Sequence, residues 1–195
     1  MMARKEDPRY LRTRQMLCNS FIDLIELHQD YDKITVRDIV KHAGINRSTF
    51  YLHFKDKDDL FAEMKNEVIL ELSKSLYHPT YDFDLALQEF NDHAKPIVTL
   101  VSLSHHVQRY ARFYSVMLGH GDFLKGVFDA IRTVLLKMSD SELDADYTAG
   151  GILGVISHWV RNGLKESADE MSLWLTRAVL IPVGLAFRGP EAPTA

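Results

Sequence analysis

At 195 residues, with 46% hydrophobic and 26% charged side chains and a formal net charge of −4, the chain has the composition of an ordinary soluble globule. That excludes a disordered or low-complexity body, and the length bounds the fold at two domains. No apolar run approaches the roughly 18–20 residues of a membrane span, and Met1 to Asp7 lack the apolar stretch of a signal peptide, so a cytoplasmic protein is expected.

From Pro8, which suits a first helical turn, to about His28, the residues Tyr10, Leu11, Leu17, Phe21, Leu24, Ile25 and His28 recur at spacings that predict one apolar helical face. Cys18 lies among Met16, Leu17 and Phe21. As the single cysteine it has no internal disulfide partner, and it reads as a small buried apolar residue rather than a reactive thiol. After the polar break Gln29 to Lys33, Thr35 is placed to cap a second helix through Val36, Ile39, Val40 and Ala43, with Asp38 as a carboxylate near the helix's positive end. Gly44, free to turn left-handed, ends it. Asn46 then caps a short third helix, Arg47 to Phe54, and two short helices on a glycine turn make a helix-turn-helix. Asp56 can cap a fourth helix from about Lys57 to Lys74, with Leu60, Phe61, Met64, Val68, Leu72 and Leu76 as one stripe.

Tyr77 to Asp82 breaks the pattern and is the linker candidate. Beyond it, helices are expected at about 83–103, 105–118, 122–138, 144–163 and 168–187, with Pro96 and Pro182 each kinking or breaking the helix it falls in. No strand alternation appears. The expected fold class is all-α: a three-helix helix-turn-helix domain over 1–56, a connecting helix of about 57–76, a larger helical domain over 77–188, and a flexible tail over 189–195.

Charge is divided unevenly. Residues 1–57 carry eleven Lys and Arg against eight Asp and Glu, a balance of +3, which leaves −7 for residues 58–195. A basic end on an acidic body suits a DNA-facing module, because phosphate contacts need cations locally. A recognition helix lies in the roughly 12 Å wide major groove only if its exposed face is short, polar and able to hydrogen-bond. Arg47, Ser48 and Thr49 supply that face, while Ile39, Ala43, Ile45, Phe50 and Phe54 can hold the two helices together. The rings of Phe50 and Tyr51 point about 100° apart on a helix, so one of them faces outward.

Through Thr35, Ala43-Gly44, Ser48-Thr49-Phe50-Tyr51, His53-Phe54, Lys57 and Leu60 the chain resembles the TetR family of repressors, over roughly its first third. The resemblance implies that Thr35 and Tyr51 bond phosphates with His53 nearby, that Lys57 meets phosphate at the start of the next helix, and that Arg37, Arg47, Ser48 and Thr49 face base edges of double-stranded DNA. The arginines would discriminate most, since a guanidinium bonds guanine O6 and N7 together, worth about 1–3 kcal/mol. Arg4, Lys5, Arg9, Arg12 and Arg14 read as further phosphate contacts or as solvated charge.

In the second half, Gly150, Gly154, Ser157 and Arg161 recur at three to four residues, a face small enough for another helix to approach, with Trp159 beside it. It fits intramolecular packing or, as the TetR resemblance implies for the last two helices, a homodimer interface that includes Trp174. Two recognition helices roughly 34–36 Å apart would then read a palindromic operator. Phe90, His93, Ile97, Tyr110, Phe113, Tyr114, Met117, Phe123 and Phe128, with His158, offer aromatic and soft apolar surface with polar tips. That is the lining of a small-molecule pocket and equally the content of a helical core. Arg112 to Gly119 is similar to the C-terminal domain of one branch of TetR-like proteins. The resemblance implies an effector of unnamed chemistry and no cofactor. His105 and His106 are adjacent and point to different sides, and no zinc spacing occurs, so no metal is expected. Nor is an enzyme, since there is no nucleophile elbow, P-loop or dinucleotide glycine motif. The expected function is a regulator that represses until an effector binds; an activator of the same fold controlled by a partner protein is the alternative.

Overall fold

Local capping sets the first helices. The computed structural model describes residues 7–28, 30–77, 82–137 and 141–187, beginning with α1 (Pro8–His28), α2 (Val36–Ala43), α3 (Arg47–His53) and α4 (Lys57–Ser75). At α2 the Thr35 hydroxyl accepts the Asp38 N–H at 3.3 Å while the Asp38 carboxylate accepts the Thr35 N–H at 3.0 Å, a reciprocal capping box. Gly44 closes α2 at φ 66°, a left-handed conformation that strains any side chain. Asn46 accepts the Ser48 N–H at 3.2 Å, and Asp56 accepts the Asp59 N–H at 2.8 Å.

The chain divides into two compact units, Met1–Val68 and Ile69–Ala195, and the division falls inside α4. In the first unit α1 packs on α2 and α2 on α3, around Leu17, Phe21, Ile39, Phe50, Phe54 and Leu60, each at most 2% exposed. Cys18 is buried there, and burial pushes its thiol up to about 12, so it is inert. The expected α1 face is only partly covered: Leu11 is 52% exposed and His28 is exposed. At 1.5 Å per residue a 21-residue helix overruns an 8-residue partner at both ends.

The second unit continues with α5 (Phe83–His93), α6 (Val98–Arg109), α7 (Ala111–Met117), α8 (Gly121–Leu135), α9 (Glu142–Arg161) and α10 (Ala168–Phe187). The fold is all-α, with no strand among the described residues. The helix expected over 83–103 breaks at Pro96: Ala94 turns left-handed at φ 52°, and α6 starts at Val98. Proline lacks the N–H a continuing helix needs and disfavours the helical conformation in the residue before it. The next boundary, expected near Ser104, falls at Tyr110 instead. Pro182 does not break α10, which runs through it. α6 packs along α10 and α8 along α9. Residues 78–81 of the linker and the tail 189–195 lie outside the described residues. No helix among the described residues is long and apolar enough to cross a membrane, and no three His, Cys, Asp or Glu side chains gather there to hold a metal.

Candidate nucleic-acid interface

The outward face of α2 and α3 is built from the residues the sequence singles out, but several are already engaged. Phe50 is wholly buried and Tyr51 is 48% exposed, with the rings edge to face at 5.5 Å, so the tyrosine is the one that faces outward. One turn earlier, Arg47 lays its guanidinium against that ring and donates to the Tyr51 hydroxyl from Nη2 at 3.1 Å and from Nε at 3.4 Å. The hydroxyl proton therefore remains available to an outside acceptor such as a phosphate oxygen. Ser48 donates its hydroxyl to Asn46 at 3.2 Å. Arg37 and Ser48 are exposed, and Thr49 is half-buried.

Thr35 donates its hydroxyl to Asp38 at 2.6 Å, and this contact holds the Asp38 carboxyl below its usual range. The phosphate contact implied for Thr35 must draw its hydroxyl proton away from Asp38, because a phosphate oxygen needs a donor. His53 faces α1 instead of open solvent: its ring stacks on Tyr10 at 4.0 Å, and its Nδ1 is buried without a partner. Burial lowers its pKa, so at neutral pH it offers no cation. Lys57 sends its ammonium to the Tyr31 carbonyl at 3.0 Å, over the Tyr31 ring at 4.0 Å, while the Tyr31 hydroxyl donates to Asp58. Burial, then the bond to Asp58, raises the tyrosine's pKa. The sequence reading put Tyr10 only on an apolar helical face and did not single out Tyr31, because nothing local marks a ring between helices as the seat of a cation or an imidazole. It also missed Leu52, an apolar side chain 62% exposed on α3 beside Tyr51. Arg14, read as an arm cation, instead pairs with Glu67 at 2.7 Å and Glu63 at 3.2 Å and ties α1 to α4. Arg4 and Lys5 lie outside the described residues.

Residues 27–64 match the family model for bacterial regulatory proteins of the tetR family, and residues 96–180 match the model for a transcriptional regulator C-terminal region. The chain belongs to the TetR family of transcription regulators. The models and relatives that it matches are those of transcription regulators, and the first of the two models covers the helix-turn-helix. This TetR-family regulator is 26% identical over 162 residues to the uncharacterized HTH-type transcriptional regulator YxbF of Bacillus subtilis, a match covering 80% of this chain and 42% of that protein. It is 39% identical over 74 residues to the HTH-type regulator AcrR of Shigella flexneri, covering 38% of this chain and 32% of that one. The chain thus spans less than half the length of these relatives. Among solved structures it resembles the dihydroxyacetone kinase operon activator DhaS (TM-score 0.59, 20% identity, 89% of this chain and 97% of that chain). A TetR-family regulator from Streptomyces coelicolor gives a TM-score of 0.63 at 17% identity over 90% and 83% of the two chains, and a SmeT–triclosan complex 0.57 at 15% over 94% and 98%.

In the second unit of this TetR-family regulator the expected pocket residues do not converge on the cavity. That cavity, about 40 Å³, is lined by aliphatic residues including Leu76, Leu100, Leu103, Ile131 and Ile152, and of the residues expected there only Ile97 reaches it. Phe113, Tyr114 and Met117 are buried, the first two in ring contacts with Phe123 at 5.4 and 5.3 Å. Phe90, Tyr110 and Phe128 are half-buried, and His93 and His158 are exposed. Aromatic rings satisfy one another edge to face, which leaves the space between helices to branched side chains. Of the expected interface residues, Trp159 is corrected: it is 1% exposed and donates its indole N–H to the Glu166 carbonyl at 3.1 Å, so it belongs to its own chain's core. Gly150, Gly154 and Arg161 are exposed, Ser157 is half-buried, and Trp174 is 54% exposed.

Proposed function

We propose that this regulator works in the cytoplasm as a homodimeric repressor that occupies a palindromic operator and leaves it when a small molecule binds the second unit. The observation that carries the reading is the face of α9. Gly150, Gly151 and Gly154 stand exposed there, and a Cβ at any of them would meet nothing within 4 Å, so no described part of the chain uses the close approach they permit. Each helical glycine costs roughly 0.5–1 kcal/mol relative to alanine. A face that keeps three of them open one turn from exposed Tyr147, along an open groove of about 570 Å³ lined by Leu124, Leu153 and Ser157, is shaped to receive another helix pair. A second copy of α9 and α10 fits by symmetry, and two heads one DNA turn apart follow from it.

The test is a Gly150→Leu, Gly154→Leu double variant. Light scattering should find a monomer with unchanged helix content by circular dichroism, and operator binding should fall at least tenfold. A double variant that stays dimeric would sink the interface. Control by a ligand needs only a modest preference between states, since a tenfold loss of operator affinity corresponds to about 1.4 kcal/mol. The operon activator among the structural neighbours favours one alternative, the same fold acting as an activator. Deleting the gene separates the two: target transcripts rise if the protein represses and fall if it activates.

A further inference from the structure

Among the described residues, the second unit buries three polar side-chain atoms that have no partner: Ser104 Oγ and His106 Nε2 on α6, and the Tyr114 hydroxyl on α7. Their residues are only 1%, 6% and 1% exposed. A core that merely packs gains nothing from such groups, because each unpaired buried polar atom opposes folding and an apolar side chain of the same shape would not. His106 and Tyr114 meet edge to face at 5.9 Å, and Tyr110 closes on His106 at 4.8 Å. Leu100 and Leu103, two walls of the apolar cavity, lie between Ser104 and His106 around the broad buried side of α6.

The three groups are neutral in place. Burial brings the His106 imidazole down to about 4 and raises the Tyr114 hydroxyl. The charges that act on His106 are already engaged: Glu71 accepts the Tyr110 hydroxyl at 2.5 Å and lies 3.8 Å from Arg109. A charged ligand would find no free counter-ion, and an unpaired charge in apolar surroundings is far costlier than an unpaired hydroxyl.

We infer that Ser104, His106 and Tyr114 are the polar end of a ligand site whose apolar end is the Leu100–Leu103 cavity, and that it takes an uncharged, mostly apolar molecule bearing one hydroxyl or carbonyl group. Its use in regulation rests on the effector reading above; its chemistry does not. A cavity of about 40 Å³ admits water and not an aromatic ring, so the ligand enters by displacing side chains. Met117, one turn beyond Tyr114 and wholly buried, is the most adaptable of its neighbours along α7.

The test titrates the full-length protein with hexanol, with ethylphenol and with hexanoate, read by calorimetry and by the imidazole nitrogen NMR signals of His106. At least one neutral probe should bind and shift the His106 signals, with hexanoate about tenfold weaker or more. Tyr114→Phe should weaken the neutral probe about tenfold and yet raise the Tm of the free protein by roughly 2–4 °C, because it removes an unpaired buried hydroxyl without changing the packing. Failure of both neutral probes to bind, equal affinity in wild type and variant, preference for hexanoate, or a lowered Tm in Tyr114→Phe each overturn the site. Operator gel shifts in parallel keep the two readings apart. Probe binding at His106 with unchanged operator occupancy defeats effector control and leaves the site standing, whereas operator release that leaves the His106 signals unmoved defeats the site alone.

Discussion

Arg47 and Tyr51 act as a unit in the free protein, since one hydroxyl oxygen accepts two guanidinium donors. Tyr51→Phe should therefore remove a phosphate contact and also release Arg47, for a loss of about 1 kcal/mol or roughly fivefold in operator affinity. Arg47→Ala should cost about 1–3 kcal/mol, and the double variant less than the sum. Fluorescence anisotropy on all four proteins measures the coupling, and strictly additive losses would show that the two side chains meet DNA independently. The outward tyrosine was legible because helix geometry forbids two adjacent rings from sharing a face. The seat of Lys57 was not, because Tyr31 reaches it from 26 residues away. A second residue-scale expectation concerns pH. Folding lowers the His106 pKa from an unfolded value near 6.5 to about 4, and lowers that of His53 in the same direction. The unfolded chain thus binds more protons in that window, and stability that is full above pH 6.5 is lost as pH falls toward 4. For His106 the loss is on the order of 3 kcal/mol. The gap between the urea midpoints of His106→Phe and wild type should shift in the variant's favour as pH falls from 7 to 4.5, because only wild type carries this loss; parallel profiles would refute the assignment.

Helix starts and stops were readable wherever the signal is carried by the helix's own neighbours: the Thr35–Asp38 box, Gly44, Asn46 and Asp56 all act within four residues. α6 begins differently. Ile97 has no side-chain cap of its own, and its N–H is instead taken by Thr176 of α10 at 2.9 Å in a buried setting. No window of sequence around residue 97 contains that information, which is why the Pro96 break could be read and the start and extent of α6 could not. Thr176→Val keeps the shape and removes the acceptor. It should leave a buried N–H unpaired, destabilise the protein by about 1–3 kcal/mol, and speed hydrogen exchange at the first turn of α6 while sparing α2 and α3. Unchanged exchange at Ile97 would mean the N–H finds another partner. The aliphatic cavity was not legible for a related reason: rings with polar tips are conspicuous in a sequence, whereas a cavity forms where aliphatic chains from distant helices fail to fill the space between them.

At the scale of the whole molecule α4 is the helix with residues in both units. Its first turns hold Tyr31 through Lys57 and Asp58 and hold Arg14 through Glu63 and Glu67. Its later residues serve the second unit, where Ile69 lies so close to α8 that a Cβ at Gly126 would stand 2.4 Å from its Cδ1, and where Glu71 takes the Tyr110 hydroxyl. In the proposed homodimer, the stiffness of α4 should bear on which half-site spacing is preferred. Leu70 sits just past the division and is 54% exposed, so replacing it alters the helix more than any packing. Leu70→Gly weakens the helix there by up to about 1 kcal/mol, whereas Leu70→Ala does not. The glycine variant should bind the native operator severalfold more weakly, because flexible heads lose effective concentration at the second half-site, and should discriminate less against operators with altered spacing. Competition gel shifts across a spacing series measure both effects. An alanine variant that behaves like the glycine one would show that the Leu70 side chain, and not the stiffness of α4, sets the spacing.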